Sequence, residues 1–125
     1  MENIGSKPLT IHGTIHGPGY SGPGGIGGAI TNRAPVADHF HLFAVEWEPS
    51  RIQWFLDDKL YFMTTPTNLP HGTQWVFNHG QFLILNIAVG GGWPGNPDAT
   101  TPFPARMEVD YVRVYARTNI IKARE

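Results

Sequence analysis

The chemically capable groups of this chain are a carboxylate, a short row of polar strand residues, a mid-strand amide and a loop indole: Glu2, then His12, Thr14 and His16, then Asn86 and Trp93. Glu2 can give or take a proton, though a glutamate at such a position is as readily a solvated surface acid. Alternate residues of a strand share a face, so His12, Thr14 and His16 stand side by side as hydrogen-bonding groups. The same alternation fits a polar, solvent-facing side of an antiparallel strand. As a metal pair His12 and His16 fail, because four strand residues separate them by about 13 Å. His39 and His41 are closer in sequence but have no evident third ligand. Asn86, between Leu85 and Ile87, must be hydrogen-bonded if buried, to a ligand or to the backbone. Trp93, within Gly90-Gly91-Gly92-Trp93-Pro94-Gly95, is free to be presented to a ligand or to pin its own loop. Trp47, Trp54 and Trp75 are expected in the core, the first two within alternating strands. Asp110, beside Val109 and Tyr111, reads as a strand acid. No Ser-His-Asp signature, phosphate loop or zinc helix motif is found.

Composition narrows the class. The 125 residues are 41% hydrophobic and 15% charged, with a net charge of −1, as in one globular domain. Lys and Arg number 9 against 10 acids and are scattered apart from Lys122 and Arg124, which gives nucleic-acid binding little electrostatic support. With no cysteine there is neither a disulfide nor a thiolate metal site, and the compartment stays open. No apolar run approaches a membrane span, and no secretory signal follows Met1.

The elements that must position these groups are short strands. Gly (15) and Pro (11) punctuate β-rich runs and no window keeps a 3.6-residue period, so the chain is predicted to be all-β. Strands are expected at 9–16, 39–48, 51–56, 60–65, 81–89 and 107–117, with tight turns at Glu48-Pro49-Ser50-Arg51 and Asp57-Asp58-Lys59. The glycine-rich segments 17–30 and 90–104 are expected as long loops, the first a loop or lid. One domain over 1–117 and a tail over 118–125 follow.

Met1-Glu2-Asn3-Ile4-Gly5, then Ile11-His12-Gly13-Thr14-Ile15-His16-Gly17-Pro18-Gly19-Tyr20, resembles a stretch of glycoside hydrolase family 16, laminarinase branch (endo-1,3-β-glucanases). There Glu-x-Asp-x-x-Glu-Asn-x-Gly precedes a His-Gly-Thr-x-His-Gly strand. Phe40 to Pro49, Ile52 to Asp58, Phe82 to Gly95 and Met107 to Tyr115 resemble later segments of the family, in its order. The resemblance implies an antiparallel β-sandwich, the C-terminal half to two-thirds of a β-jelly roll, acting on 1,3-β-glucan with retention. On that match Glu2 is the acid/base, and His12, Thr14, His16, Asn86 and Trp93 bind sugar. Asp110 would help hold a structural calcium, and no cofactor serves the chemistry. Family members are usually secreted.

Retaining enzymes need a second carboxyl about 5–5.5 Å from the first. The matching nucleophile would precede Met1, so the chain is expected to be truncated inside the motif and inactive or weak alone. The motif spacing implies a bulge beside Glu2. Glu46, Glu48, Asp57, Asp58, Asp98 and Glu108 have no spacing that makes them replacements. Calcium takes six to eight oxygens, mainly from the missing part, so its site is expected to be incomplete. Missing strands leave apolar faces and open edges, which predicts a homodimer or larger assembly, or rearrangement into a small barrel. The alternatives to an enzyme are a non-catalytic β-glucan-binding module and a truncated piece without independent activity.

Overall fold

A computed structural model describes residues 1–117, so the expected tail at 118–125 lies outside the described residues. The chain forms two three-stranded antiparallel sheets. The first has the order β1-β2-β3, with β1 at Glu2–Asn3, β2 at Thr10–Ile15 and β3 at Ile26–Thr31. The second is a meander of β4 (Phe43–Glu48), β5 (Arg51–Leu56) and β6 (Lys59–Thr64). Pro49 and Ser50 turn β4 into β5. Asp57 and Asp58 turn β5 into β6 with φ of 49° and 63°, the doubly left-handed geometry whose twist matches a two-residue hairpin and that Asp tolerates better than most residues.

Period-two burial explains why the sheets stack. Ile11, Gly13 and Ile15 of β2 are buried while Thr10, His12 and Thr14 are only partly so. Ile52, Trp54 and Leu56 of β5 alternate the same way. These two rows meet: Ile15 and Tyr20 pack with Ile52 and Trp54, and Ile11 and Val36 with Leu56. Gly13 sets the spacing between the sheets, since a Cβ there would lie 2.8 Å from Trp54 Cγ and 2.9 Å from the Tyr61 hydroxyl. A bulge between β5 and β6 leaves Tyr61 between the residues that pair with Phe55 and Trp54, and its ring packs against both clusters. The Tyr61 hydroxyl has no partner, and burial pushes its pKa up to about 12.

Beyond β6 the chain stays close as far as Phe77. The Tyr20 hydroxyl donates to the Gln74 carbonyl at 2.9 Å, Trp75 Nε1 to the Pro49 carbonyl at 2.7 Å, and Trp47 Nε1 to the Phe77 carbonyl at 2.6 Å. Leu69, Trp75 and Phe77 pack on the first cluster.

Four departures from the sequence reading have physical causes. Segment 17–30 is not one loop, because β3 occupies its end, with Ile26, Gly28 and Ile30 partly buried and Gly27, Ala29 and Thr31 exposed. Its glycines hid that alternation. The strand expected from residue 39 begins at Phe43, after the 3-10 turn Val36–Asp38. The strands expected at 81–89 and 107–117 form no ladder, since a strand needs an edge to pair with and neither segment is hydrogen-bonded to a strand of either sheet. Trp54 is core and Trp75 partly so, but Trp47 is exposed. It pairs with Ile52, so it points to the core side of β4, as do Phe43 and Val45 opposite Leu56 and Trp54. All three stay exposed, outside the two clusters buried between the sheets.

Candidate active site

Glu2 enters the site through a two-residue strand, too short to hold itself. Its neighbours fix it. Asn3 Nδ2 donates to the Thr10 carbonyl at 2.9 Å and to the Lys7 and Pro8 carbonyls at 3.4 and 3.3 Å, while Ile4 is buried. The resulting register sets Glu2 directly opposite His12 and Asn3 opposite Ile11. Directly opposed residues share a face, so the Glu2 carboxyl rises on the side of His12 and away from the core that receives Ile11. Both pairs are regular and contain no bulge.

His12 and Thr14 extend along β2 from that point and His16 follows just past its end, the first two partly buried and the third exposed. Beside them β3 is nearly bare. Ala29 pairs with His12 and Gly27 with Thr14, and a Cβ on Gly25 would lie 2.5 Å from the His16 ring. The polar row therefore stands over a low backbone floor. Sequence reasoning missed this floor together with β3, and the period-two spacing of Ile26, Gly28 and Ile30 was the signal available.

Trp93 comes to the same row from the far loop. Its ring centroid is 4.9 Å from that of His12 with the planes at 72°, an edge-on contact. His12 Nε2 is shut off from solvent without a hydrogen-bond partner, an omission that costs about 1–3 kcal/mol for a polar group. The structure thus joins Glu2, His12 and Trp93, with Thr14 and His16 continuing the line. A groove of about 450 Å³ opens between Gly5 and Ser6 on one side and loop residues such as Ile87, Pro94 and Asn96 on the other, and none of Glu2, His12, Thr14, His16 and Trp93 lines it. Asp98 closes a turn in that loop, where bonds from the Thr100 hydroxyl and amide hold its carboxyl below the usual range.

Two other candidates stand apart. Asn86 is exposed in a stretch without strand pairing, so it is not the buried amide of a central strand. Asp110 is exposed as well, and among the described residues no three His, Cys, Asp or Glu side chains gather for an ion. Its carboxylate offers two of the six to eight oxygens that calcium takes.

Glu48 and Asp57 are engaged elsewhere, whereas Glu46 is exposed. Glu48 binds Arg51 at 2.8 Å and Arg117 at 2.9 Å, and Glu46 is exposed in β4 opposite Gln53. Asp57 accepts from His41 Nδ1 at 2.6 Å and from the Leu42 amide at 2.9 Å. Burial pushes the Asp57 carboxyl up, but these two bonds and the charge of His41 outweigh it and hold the pKa below its ordinary 3.8. His41 is therefore a clasp between the start of β4 and the β5–β6 turn.

The Glu2 carboxyl thus stands on a short edge strand beside a polar row whose first histidine meets an indole. Residues 1–113 match the profile of Glycosyl hydrolases family 16. The chain belongs to that family. Within family 16 it is 44% identical to the "Beta-glucanase" of Rhodothermus marinus over 126 residues, a match covering 92% of this chain and 42% of that protein. The endo-β-1,3-glucanase of Pyrococcus furiosus superposes with a TM-score of 0.77 at 48% identity, over 82% of this chain and 40% of that one. A "Beta-1,3-glucan-binding protein" of Tenebrio molitor is 27% identical, over 70% of this chain and 27% of its own. The chain therefore spans about two-fifths of the first two relatives. Its two antiparallel sheets are part of a family 16 jelly-roll sandwich.

Proposed function

We propose that the chain presents the sugar-facing part of an endo-1,3-β-glucanase, with 1,3-β-glucan lying along the β1–β2 face. The observation that carries this reading is the direct pairing of Glu2 with His12 under Trp93. A hydroxyl-rich chain laid over the bare floor of Gly27 and Ala29 would meet His12, Thr14 and His16 as hydrogen-bonding partners and Trp93 as an apolar wall. Glu2 would protonate the departing glycosidic oxygen. A nucleophilic carboxylate about 5–5.5 Å away would attack the anomeric carbon. Pure protein should be retarded by laminarin in affinity electrophoresis, and Trp93→Ala should lose the retardation. If turnover is detected as reducing ends, Glu2→Gln should abolish it; undiminished turnover in that variant rules Glu2 out as the acid.

Binding without turnover is the second reading, favoured by the engagement of Glu48, Asp57 and Asp98 with other partners. Retardation by laminarin with no reducing ends would select it. We also propose that the chain self-associates through β4, an edge strand whose core side exposes Phe43, Val45 and Trp47. Light scattering should give a mass that rises with concentration, and Val45→Lys should return it to the monomer.

A further inference from the structure

We propose that Trp93 is a displaceable cap on His12: without sugar its indole occupies the place of a bound glucose ring, and a glucan hydroxyl displaces it by supplying the partner that His12 Nε2 lacks. The inference rests on the glucan-binding reading above and adds a step to it. Three observations carry it. Imidazole and indole meet edge-on at 4.9 Å, a contact weaker than a hydrogen bond from a hydroxyl. Nε2 of that imidazole is buried and unpartnered, so a ligand that reaches it gains a hydrogen bond that the empty site forgoes. Trp93 remains 51% exposed on a ladderless loop, so little packing opposes its departure.

Glycines shape the turn that carries the indole. Gly90, Gly91 and Gly95 have φ of 75°, 137° and 88°, values that a residue with a Cβ adopts poorly, and the Gly95 amide closes the turn on the Gly91 carbonyl at 3.0 Å. Positive-φ glycines therefore lie on both sides of Trp93. Once displaced, the indole is free to pack against the apolar face of the sugar whose hydroxyl has taken its place. The cap would thus favour ligands that pair a hydrogen-bonding edge with an apolar face, as a glucose ring does.

The test follows the His12 ring protons by NMR in the full chain. Without sugar, Trp93→Ala should shift them, because the indole ring current is lost, and Trp93→Phe should restore part of the shift. Adding laminarihexaose to the wild type should move the same resonances off their sugar-free positions, by an amount that Trp93→Ala no longer shows. Circular dichroism checks that both variants fold. Identical His12 positions in the sugar-free wild type and Trp93→Ala overturn the cap. So does retardation by laminarin with unmoved His12 resonances, which leaves glucan binding intact. Absence of retardation in the wild type sinks both, so the two failures are told apart.

Discussion

Residues 2–64 and 82–117 are both rich in apolar and β-branched side chains, yet one stretch contains every strand and the other none among the described residues. In the first, Ile11, Ile15, Ile52, Trp54 and Leu56 disappear between two sheets. In the second, Phe82 and Val114 are 83% and 82% exposed. What separates them is company, since a ladder needs an edge and an apolar face needs an opposing face. The second stretch touches the first through isolated side chains, Trp93 on His12 and Arg117 on Glu48, and across the groove at Gly5 and Ser6. Such contacts place a loop without making it part of a core.

The largest effect that can break this contrast is a paired truncation. Trp54→Ala should cost about 3–5 kcal/mol, since it empties the first cluster, whereas Val114→Ala should stay within about 0.5 kcal/mol. Urea midpoints measure both, and equal losses would mean that the second stretch is packed after all. Next in size is Gly13→Val, which should cost about 1–3 kcal/mol by driving its side chain into Trp54 and Tyr61. The same change at Gly92, where a Cβ meets nothing within 4 Å, should cost far less in the same assay.

The pH effects are smaller and have opposite signs. Asp57 has a lowered folded pKa, so its contribution is complete above the unfolded value of 3.8 and is lost as the pH falls through the lower folded value. Thermal melts of Asp57→Asn should therefore lie below the wild type at neutral pH and converge with it in acid. Tyr61 is raised from 10.0 to about 12, so its contribution is complete below pH 10 and is lost between those two values. Tyr61→Phe should remove that alkaline loss and, by deleting an unpartnered buried hydroxyl, raise neutral-pH stability by about 1–3 kcal/mol. Both tests address the paired half of the molecule and should leave the ladderless half untouched.

How much of this was legible depends on whether the signal is local. Arg51–Leu56 was readable to the residue, because alternation and a turn at each end are local facts. The Asp57-Asp58 turn was readable for the same reason. β3 was not, because its glycines removed the side chains that carry alternation, although Ile26, Gly28 and Ile30 kept the spacing. At 81–89 and 107–117 the pattern was read well and the strand is absent, since pairing belongs to two segments at once. In the site, the row on β2 followed from alternation alone, while its junction with Glu2 depended on β1 register and the approach of Trp93 spans 81 positions along the chain. The small neighbours on β3 were invisible for as long as β3 was.

The hydrogen bonds that Trp75 sends to Pro49 and Trp47 sends to Phe77 act as two rivets where the chain leaves the β4–β5 hairpin. A protease meeting this molecule should find a sharp frontier there. Chymotrypsin should spare the buried Tyr20 and Trp54 and nick first at Phe82, leaving a resistant piece that ends shortly after the second rivet.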